Sequence, residues 1–439
     1  MEKNFTITSL GEALIISPLG LSKIKGDNIY NFIPDDERVL HDLSLKGFNK
    51  SKEENSNPDC FEKAGPRENI FFAPKNVRAA IVTCGGLCPG INNVIRSIVM
   101  ALHYFYGVED IIGIPYGYEG LNPAKKRGFI QLTPDKVKDI HEFGGTILGS
   151  SRGAQNVEVM VDTLIENNIN ILFTIGGDGT LKGTDAIGME IAKRSLEISV
   201  VGIPKTIDND IDIIDKSFGF ETSFDVATPI LRDAHNEAMG AYNGIAIVKL
   251  MGRDSGFIAA SAALSKPVVN FVLVPEMDFS LTGENGLLRL LKKRLDQKHH
   301  AVIVVAEGAG QSLIKKEKDI IKDASGNIKH NDIGVFLKDE ISKYFTQNNQ
   351  EVTIKYIDPS YIIRSAAANA SDSVFCSRLA YHAVHGAMAG KTRFVVGMVN
   401  GKFVYLPIPE VVNNRKKIDL ESEFWFAVIQ STGQSFTMK

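Results

Sequence analysis

Two short apolar runs, each followed at once by a cluster of glycines, constrain the fold of this chain more than any other feature. The run at 79–83 leads into glycines at 85–90, and the run at 170–175 leads into glycines at 176–179. A short apolar run bounded by turn residues is typical of a buried strand, and a helical pattern follows each turn. Strand, glycine turn and helix in this order build parallel sheets, so we expect an α/β fold.

Further apolar runs extend this alternation along the chain. They lie at 199–203, 245–250, 268–274 and 301–306 and are separated by helical patterns. A chain of 439 residues with 39 glycines is long enough for two or more hydrophobic cores. The sequence therefore predicts a multi-lobed α/β protein with mostly parallel sheets.

Two segments depart from this pattern, and a third predicts a long helix. Residues 48–68 are polar and aperiodic, which predicts an exposed loop that joins an amino-terminal extension to the main body. Residues 311–350 are charged and irregular, which predicts a surface insertion. An apolar stripe from 374 to 387 predicts a helix that Ser371 or Asp372 would cap.

The overall charge gives no bulk attraction for nucleic acid or for an anionic membrane. The chain has 49 basic and 52 acidic residues and a formal net charge of -3. No apolar run approaches the roughly 18 residues of a membrane span, and the amino terminus has no positive stretch leading into an apolar one. Four cysteines in a chain of this length do not form a disulfide framework, so we expect a cytoplasmic protein.

An acidic cluster at 204–210 points to phosphoryl transfer. Asp208 and Asp210 lie one residue apart beside Lys205 and Thr206, so carboxylates that can deprotonate a hydroxyl stand next to groups that can steady a phosphate. The cluster follows the apolar run that ends at 203. It should therefore lie at the carboxyl end of a strand, where open α/β sheets bind their ligands.

The two glycine turns are candidate phosphate sites. A strand-to-helix turn rich in glycine exposes backbone N–H groups at a helix amino end, which suits a phosphate. The turn at 176–180 adds Asp178, a carboxylate that could hold Mg²⁺. A tight turn without a ligand is the alternative for the turn at 85–90. The glycines at 177, 179 and 183 mimic a dinucleotide fingerprint only loosely, because their spacing is wrong.

Together these segments resemble the 6-phosphofructokinase family over most of residues 75–410. The matching motifs are Gly-Gly-x-x-x-Gly-x-Asn at 85–92, Gly-Gly-Asp-Gly-Thr at 176–180, Thr-Ile-Asp-Asn-Asp at 206–210, Met-Gly-Arg at 251–253, Ala-Glu-Gly-Ala-Gly-Gln at 306–311 and Tyr-x-x-Arg at 361–364. The extension, with Ala-Gly-Pro-Arg at 64–67, resembles the longer branch of the family found in plants, protists and some bacteria.

The resemblance implies a fold and an assembly. We expect two Rossmann-like lobes with the active site between them, plus the amino-terminal extension and linker at 1–75. The nucleotide-binding lobe would comprise 76–220 with 363–405, and the sugar-phosphate-binding lobe 221–362 with 406–439. The family also implies a homotetramer, or at least a homodimer, and allosteric control by effectors that the sequence leaves open.

The resemblance also implies ATP-dependent phosphorylation of fructose 6-phosphate to fructose 1,6-bisphosphate. Asp208 would be the general base on the sugar hydroxyl, and Asp210 would orient it and help with the metal. Thr206 would hydrogen-bond the transferring phosphoryl group, whose developing charge Arg253 and Arg152 would neutralise.

Binding residues follow from the same match. Mg²⁺ would lie on Asp178, and the nucleotide would contact Gly86, Arg152, Gly153, Gly177, Asp178, Gly179, Thr180 and Lys205. The sugar phosphate would contact Thr206, Ile207, Asp208, Met251, Gly252, Arg253, Glu307, Lys355, Tyr361 and Arg364.

Within the sugar-phosphate set, Glu307 would accept hydrogen bonds from sugar hydroxyls, and Arg364 would bind the 6-phosphate. Tyr361 stands where the short bacterial enzymes carry histidine, and Lys355 where they carry arginine. Lysine is a point charge rather than a bidentate fork, so the phosphate geometry would differ. The sequence leaves open whether a neighbouring subunit completes this pocket.

Two positions bear on the phosphoryl donor. Pyrophosphate-using members carry aspartate where this chain has Gly179, and that carboxylate would occupy the space of a nucleotide α-phosphate. Lys205 matches the lysine of pyrophosphate users, but the longer ATP-using branch shows the same glycine and lysine together. We therefore expect ATP. The alternatives are a pyrophosphate-dependent enzyme, a non-catalytic regulatory paralogue and a nicotinamide-binding oxidoreductase.

Overall fold

The computed structural model describes residues 4–53, 58–314 and 330–439. The chain divides into two compact units. Unit 1 comprises Met1–Thr206, Ile211–Gly219 and Ala367–Arg415, and unit 2 comprises Ile207–Asp210, Phe220–Ala366 and Lys416–Lys439.

The secondary structure of the described ranges alternates between strands and helices over most of the chain. The strands are β1 (Thr8–Ser9), β2 (Ile15–Ile16), β3 (Arg38–Leu40), β4 (Cys60–Lys63), β5 (Asn69–Ile70), β6 (Arg78–Thr83), β7 (Asp110–Ile114), β8 (Ile130–Gln131), β9 (Ile171–Gly176), β10 (Ser199–Pro204), β11 (Gly244–Leu250), β12 (Phe271–Leu273), β13 (His300–Ala306), β14 (Thr353–Ile357), β15 (Lys391–Thr392), β16 (Phe394–Val399) and β17 (Lys402–Pro407). The helices are α1 (Leu45–Glu53), α2 (Ile91–Met100), α3 (Pro134–Val137), α4 (Val157–Glu166), α5 (Asp178–Lys193), α6 (Phe220–Met239), α7 (Phe257–Ser265), α8 (Leu287–Lys298), α9 (Ile333–Gln347), α10 (Ser360–Arg364), α11 (Ala370–Met388), α12 (Ile408–Val412) and α13 (Glu423–Thr432).

Unit 1 is built on a large sheet whose centre is parallel. In the described part of the chain its strand order is β3-β4-β17-β16-β10-β9-β6-β7-β8. The strands from β16 to β7 pair in parallel. β9 and β10 are buried along their whole length. That burial explains why both strands are continuous apolar runs rather than alternating ones.

The amino-terminal extension completes one side of this sheet. β3 and β4 add antiparallel strands next to β17, and β1 pairs with β15. An ionic cluster fastens the extension to unit 1, because the buried cations of Arg67 and Lys391 each contact both Glu62, which is buried, and Asp35, which is exposed, at 2.7 to 2.9 Å. The extension is therefore part of unit 1 rather than a separate appendage.

Unit 2 contains a smaller parallel sheet. Among the residues that the structure describes, its strand order is β12-β13-β11-β14, with every pair parallel. Because β11 and β13 lie in the middle, the segments after their carboxyl ends meet at one edge of the sheet. Met-Gly-Arg at 251–253 follows β11 and Glu307 follows β13, so the register brings these motifs together.

The structure confirms the mostly parallel α/β class and the predicted strands, except that the strand predicted at 268–274 is shorter and spans only Phe271–Leu273. It corrects three local predictions. The segment at 48–68 contains the end of α1 and the whole of β4, with 54–57 outside the described residues. The segment at 311–350 contains α9, with 315–329 outside the described residues. The predicted long helix begins earlier and is capped by Asn369, whose side chain accepts from the backbone N–H of Asp372 at 2.9 Å.

The boundaries of the units differ from those of the predicted lobes. The segment 406–415 lies in unit 1 rather than with the sugar-phosphate lobe, because β17 pairs with β16 and β4. The segments 207–210 and 363–366 lie in unit 2 rather than with the nucleotide lobe. The backbone of 207–210 is held by residues at 255 and 416, and α10 packs on α6.

Two general features of the chain bear on its setting. Among the described helices, none combines the length and apolar character that a membrane crossing requires. Within the described ranges, Cys60, Cys84, Cys88 and Cys376 form no disulfide with one another.

Candidate functional site

The first glycine turn of unit 1 lies against a loop that carries an arginine. The backbone N–H of Gly85 donates to Ser151 O at 3.0 Å, and the Ser150 hydroxyl donates to Gly85 O at 2.6 Å. These bonds bring Arg152 to the turn, where a Cβ added at Gly86 would lie 3.3 Å from Arg152 Nη2. A Cβ there would push the end of the Arg152 side chain aside by a few tenths of an ångström, so glycine favours this close approach.

Lys205 supplies a second cation to the same turn. It follows β10 directly, and its backbone N–H donates to Gly176 O at 2.9 Å. A Cβ added at Gly85 would lie 3.9 Å from Lys205 Nζ, although the residue as a whole is only 7 % exposed. A lysine and an arginine beside a glycine turn that precedes a helix form an arrangement that suits phosphate.

The second turn of unit 1 opens the long helix α5. Gly177 precedes the helix, and Asp178 is its first residue. The first backbone N–H groups of a helix have no partners inside it and carry partial positive charge, which attracts anions. A Cβ added at Gly179 would have no described atom within 4 Å, so this space is open.

Asp178 is held by two cations that the sequence reading missed. Lys182 Nζ lies 3.0 Å from Asp178 Oδ2, and Arg415 Nη2 lies 3.6 Å from the same oxygen. Lys182 is four residues ahead on one helix face, so the pair could have been found from helical spacing. Arg415 comes from a distant part of the chain, and no local pattern predicts that contact.

In unit 2 the acidic cluster forms a turn fixed by its backbone. Asn209 has a φ of 55°, a left-handed conformation that asparagine tolerates better than most residues. The Ser255 hydroxyl donates to Asp208 O at 3.3 Å, and the backbone N–H of Lys416 donates to Asp210 O at 2.9 Å. The side chains of Asp208 and Asp210 therefore project from a turn whose backbone is anchored on both sides.

Asp208 has the electrostatic environment of a general base. The pKa of Asp208 is raised to about 7, first by burial and then by the nearby carboxylates of Asp210 and Glu307. The cations of Arg253 and Arg364 act in the opposite direction. A carboxylate that is partly protonated near neutral pH can both accept a proton and release it.

The Met-Gly-Arg motif bends sharply at the end of β11. Gly252 has a φ of 142°, and an added Cβ would lie 2.4 Å from Ser255 O. Arg253 has a φ of 48°, a conformation that costs about 1 kcal/mol in a residue with a side chain. Its backbone N–H donates to Glu307 Oε1 at 2.9 Å. The bend thus orients the Arg253 side chain and the Glu307 carboxylate together.

The remaining sugar-phosphate candidates divide into two groups. Tyr361 and Arg364 lie on α10, where Tyr361 is 82 % exposed and Arg364 is near enough to lower the pKa of Asp208. Lys355 lies in the middle of β14, and its ammonium is 3.9 Å from the carboxylate of Glu237 on α6. Arg364 therefore lies in the cluster of charged side chains around Asp208, whereas Lys355 faces a different part of unit 2. We call this cluster, formed by Asp208, Asp210, Arg253, Glu307 and Arg364, the Asp208 group.

The predicted residues thus fall into two groups, one in each unit. Unit 1 holds Gly86, Arg152, Gly153, Gly177, Asp178, Gly179, Thr180, Lys205 and Thr206. Unit 2 holds Ile207, Asp208, Asp210, Met251, Gly252, Arg253, Glu307, Lys355, Tyr361 and Arg364. In the described ranges no group of three or more His, Cys, Asp or Glu side chains could hold a metal ion.

A family profile and curated relatives of this chain point to the same protein family. The sequence profile of the family described as "Phosphofructokinase" matches residues 78–387. The chain is 50 % identical to the "ATP-dependent 6-phosphofructokinase" of Borreliella burgdorferi, over 99 % of this chain and 98 % of that protein. It is also 50 % identical to the protein of the same name from Entamoeba histolytica, over 83 % of each chain.

A solved structure supports the fold. The crystal structure of the pyrophosphate-dependent phosphofructokinase from Marinobacter aquaeolei matches with a TM-score of 0.67. It covers 82 % of this chain and 93 % of that one, at 20 % sequence identity. This likeness shows a common fold, and at that identity it carries no information on the phosphoryl donor.

Proposed function

The chain belongs to the phosphofructokinase family, and from that premise we propose that it transfers the terminal phosphoryl group of ATP to the 1-hydroxyl of fructose 6-phosphate. The products are fructose 1,6-bisphosphate and ADP, and the step belongs to glycolysis. Relatives named as ATP-dependent 6-phosphofructokinases at 50 % identity over nearly the whole chain support this activity.

The observation that carries the proposal is the Asp208 group. Asp208 takes the proton from the sugar hydroxyl as that oxygen attacks the terminal phosphorus of the donor. Its raised pKa, about 7, suits a base that works near neutral pH. Asp210 keeps the local charge negative, which favours proton uptake by Asp208.

Arginine and lysine side chains are the proposed partners of the negative charge that develops on the transferring phosphoryl group. Arg253 lies in the Asp208 group, and Arg152 and Lys205 lie at the first glycine turn. Phosphoryl transfer involves little covalent chemistry by the protein, so catalysis comes from positioning and electrostatic stabilisation. Thr206 adds a hydroxyl to the same task.

ATP as the donor is supported by the open space at Gly179. A nucleotide needs room for its α-phosphate next to the amino end of α5, and a Cβ at Gly179 would meet no described atom within 4 Å. Gly177, Thr180, Gly86 and Gly153 complete the proposed nucleotide contacts. An aspartate at 179 would fill this space and repel the phosphate.

The donor set fits Mg²⁺ shared with the nucleotide phosphates. Asp178 offers one carboxylate, and the described residues contain no dedicated cage of ligands. Mg²⁺ prefers such sites, where one or two carboxylates are combined with phosphates and waters. When bound, the ion would neutralise phosphate charge. Asp178 is already surrounded by the cations of Lys182 and Arg415, so the metal would compete with an ion pair.

Recognition of the sugar phosphate is assigned to the edge of the unit 2 sheet. Glu307, fixed by the N–H of Arg253, accepts hydrogen bonds from sugar hydroxyls. Arg364 and Tyr361 on α10 bind the 6-phosphate. Met251, Gly252 and Ile207 shape the apolar side of the pocket. Lys355 stays a predicted phosphate ligand whose side chain faces Glu237 in this chain.

We further propose a cytosolic homo-oligomer of closed symmetry. The absence of disulfides among the four cysteines in the described ranges supports a reducing compartment. The family resemblance supports a tetramer or dimer, which sedimentation or light scattering would measure directly.

The test of this function separates chemistry from binding. The Asp208→Asn variant keeps the shape of the side chain but cannot accept the proton. We expect its kcat to fall about 10²- to 10⁴-fold, while fructose 6-phosphate binding measured by calorimetry changes little. A variant that retains normal turnover would refute the role of Asp208. Wild-type protein that neither binds nor phosphorylates the sugar would refute the function.

A further inference from the structure

A nearly buried lysine in unit 2 lies at the carboxyl end of β11, outside the residues assigned above. Lys249 is the penultimate residue of this strand, and its side chain is 12 % exposed. Its ammonium lies 2.9 Å from Asp332 Oδ2 and 2.9 Å from Asp358 Oδ2. One cation thus holds two carboxylates together.

Each of these carboxylates also holds the beginning of a helix. Asp332 precedes α9 and accepts from the backbone N–H groups of Gly334 and Val335 at 3.0 and 3.2 Å. Asp358 accepts from the backbone N–H of Ser360, the first residue of α10, at 3.1 Å, and from the Ser360 hydroxyl. Lys249 therefore ties the end of a central strand to the starts of two helices.

The two carboxylates differ in their other support. The Tyr356 hydroxyl donates to Asp332 at 2.8 and 3.0 Å, which compensates part of its charge. The contacts described for Asp358 are those with Lys249 and Ser360. Loss of the lysine would leave two neighbouring carboxylates without their shared cation. Their repulsion would displace mainly Asp358, because Asp332 is also held by the Tyr356 hydroxyl and two backbone N–H groups.

Displacement of Asp358 would move α10. This helix spans only Ser360–Arg364, and so short a helix is not stable by its own hydrogen bonds. It depends on the hydrogen bonds that Asp358 accepts from Ser360 and on packing against α6. Arg364, the last residue of α10, is near enough to Asp208 to lower the pKa of that carboxyl. A shift of α10 would therefore carry Arg364 away from the reacting centre.

We propose that Lys249 is a positioning residue for recognition of the phosphate of the sugar substrate, an inference that rests on the proposed function. Lys249 holds Asp358, Asp358 accepts hydrogen bonds from Ser360 at the start of α10, and α10 places Arg364 and Tyr361. The lysine acts through these contacts and not by touching the phosphate.

The direct test replaces the cation by an apolar side chain of similar length. In Lys249→Met we expect the KM for fructose 6-phosphate to rise about tenfold, because a hydrogen-bonded ion pair that orients a binding group is lost. The kcat should stay within about threefold, and the KM for ATP should not change. Lys343→Met is the matched control, since it removes the lysine of an exposed pair with Glu340 on α9 and should leave both KM values unchanged.

Two further variants test the route through Asp358. Asp358→Ala removes the acceptor of the Ser360 hydrogen bonds while Lys249 keeps its ion pair with Asp332, and it should give the same selective rise in the KM for fructose 6-phosphate. This variant also decides the question if Lys249→Met does not fold. The double variant Lys249→Met/Asp358→Asn keeps an acceptor for Ser360 but removes the repelling charge. It should therefore recover part of the lost affinity.

Calorimetric binding of fructose 6-phosphate, measured in parallel, separates the possible failures. The inference would be overturned, and the proposed function kept, if the wild-type protein phosphorylates the sugar but Lys249→Met or Asp358→Ala binds it with unchanged affinity. An equal rise of both KM values, with a lower thermal midpoint, would also overturn it, since a general loss of structure would explain that result. Wild-type protein that shows neither turnover nor binding would overturn the proposed function and the inference with it.

Discussion

Replacement of Gly179 by aspartate tests why this chain should use ATP. Gly179 is the second residue of α5, where an acidic residue is favourable for the helix, so the variant should fold. A Cβ meets no described atom within 4 Å there, so bulk alone should be tolerated. The new carboxylate would lie beside Asp178 and near the expected position of the nucleotide α-phosphate.

The magnitude follows from charge and distance. Two unit charges about 5 Å apart interact by about 3 kcal/mol at an effective dielectric constant of 20. Asp178, the neighbouring side chain, is 34 % exposed, so water screens part of this energy. About 2 kcal/mol remains, which corresponds to a rise of about 30-fold in the KM for ATP.

The assay measures initial rates at varied ATP for the wild type and for three variants. Gly179→Ala should stay within about threefold of the wild type, because it adds bulk only into open space. The KM for ATP of Gly179→Asn should lie close to that of Gly179→Ala. Gly179→Asp should show the full rise, because among the three variants it alone adds charge. An unchanged KM for ATP in Gly179→Asp would refute the reasoning. An equal effect of asparagine would refute its electrostatic part.

Three other properties are predicted from the structure. The pKa of Asp208 is raised to about 7, and its ionised form is the base, so kcat/KM for fructose 6-phosphate should fall about tenfold per pH unit below 7. A value of kcat/KM that stays constant down to pH 5 would contradict this prediction. Lys391→Met removes a cation whose side chain is 10 % exposed, and it should lower the free energy of unfolding by about 2 kcal/mol. Its thermal midpoint should therefore lie below that of Lys343→Met, and equal midpoints would refute this prediction. Gly90→Ala should also lower the free energy of unfolding by about 2 kcal/mol, because φ of Gly90 is 99° and the new Cβ would lie 2.6 Å from the Cys376 sulfur. An unchanged denaturant midpoint would refute the expected backbone and steric strain.

The sequence predicts the parallel sheets and the glycine turns well, for a local reason. A strand buried on both faces is mostly apolar, as β9 and β10 are, and the glycines that follow β6 and β9 allow a phosphate to approach the backbone. These signals lie within a few residues of one another. The same holds for Asp208 and Asp210, which are close in sequence and lie on one turn.

The features that sequence reasoning missed depend on contacts between distant segments. Arg415 reaches Asp178, and Lys249 reaches Asp332 and Asp358, but none of these pairs has a local pattern. The polar, aperiodic composition of 48–68 predicts a loop, yet β4 forms there by pairing with β17 and β3. Tertiary pairing thus overrides a weak local preference.

The most direct test of the account compares two phosphoryl donors. Initial rates are measured with fructose 6-phosphate and Mg²⁺, using either ATP or pyrophosphate, and Asp208→Asn serves as the blank. We predict turnover with ATP, none with pyrophosphate, and a loss of about 10²- to 10⁴-fold in the variant. Turnover with pyrophosphate alone, or turnover with ATP that does not depend on Asp208, would contradict the account.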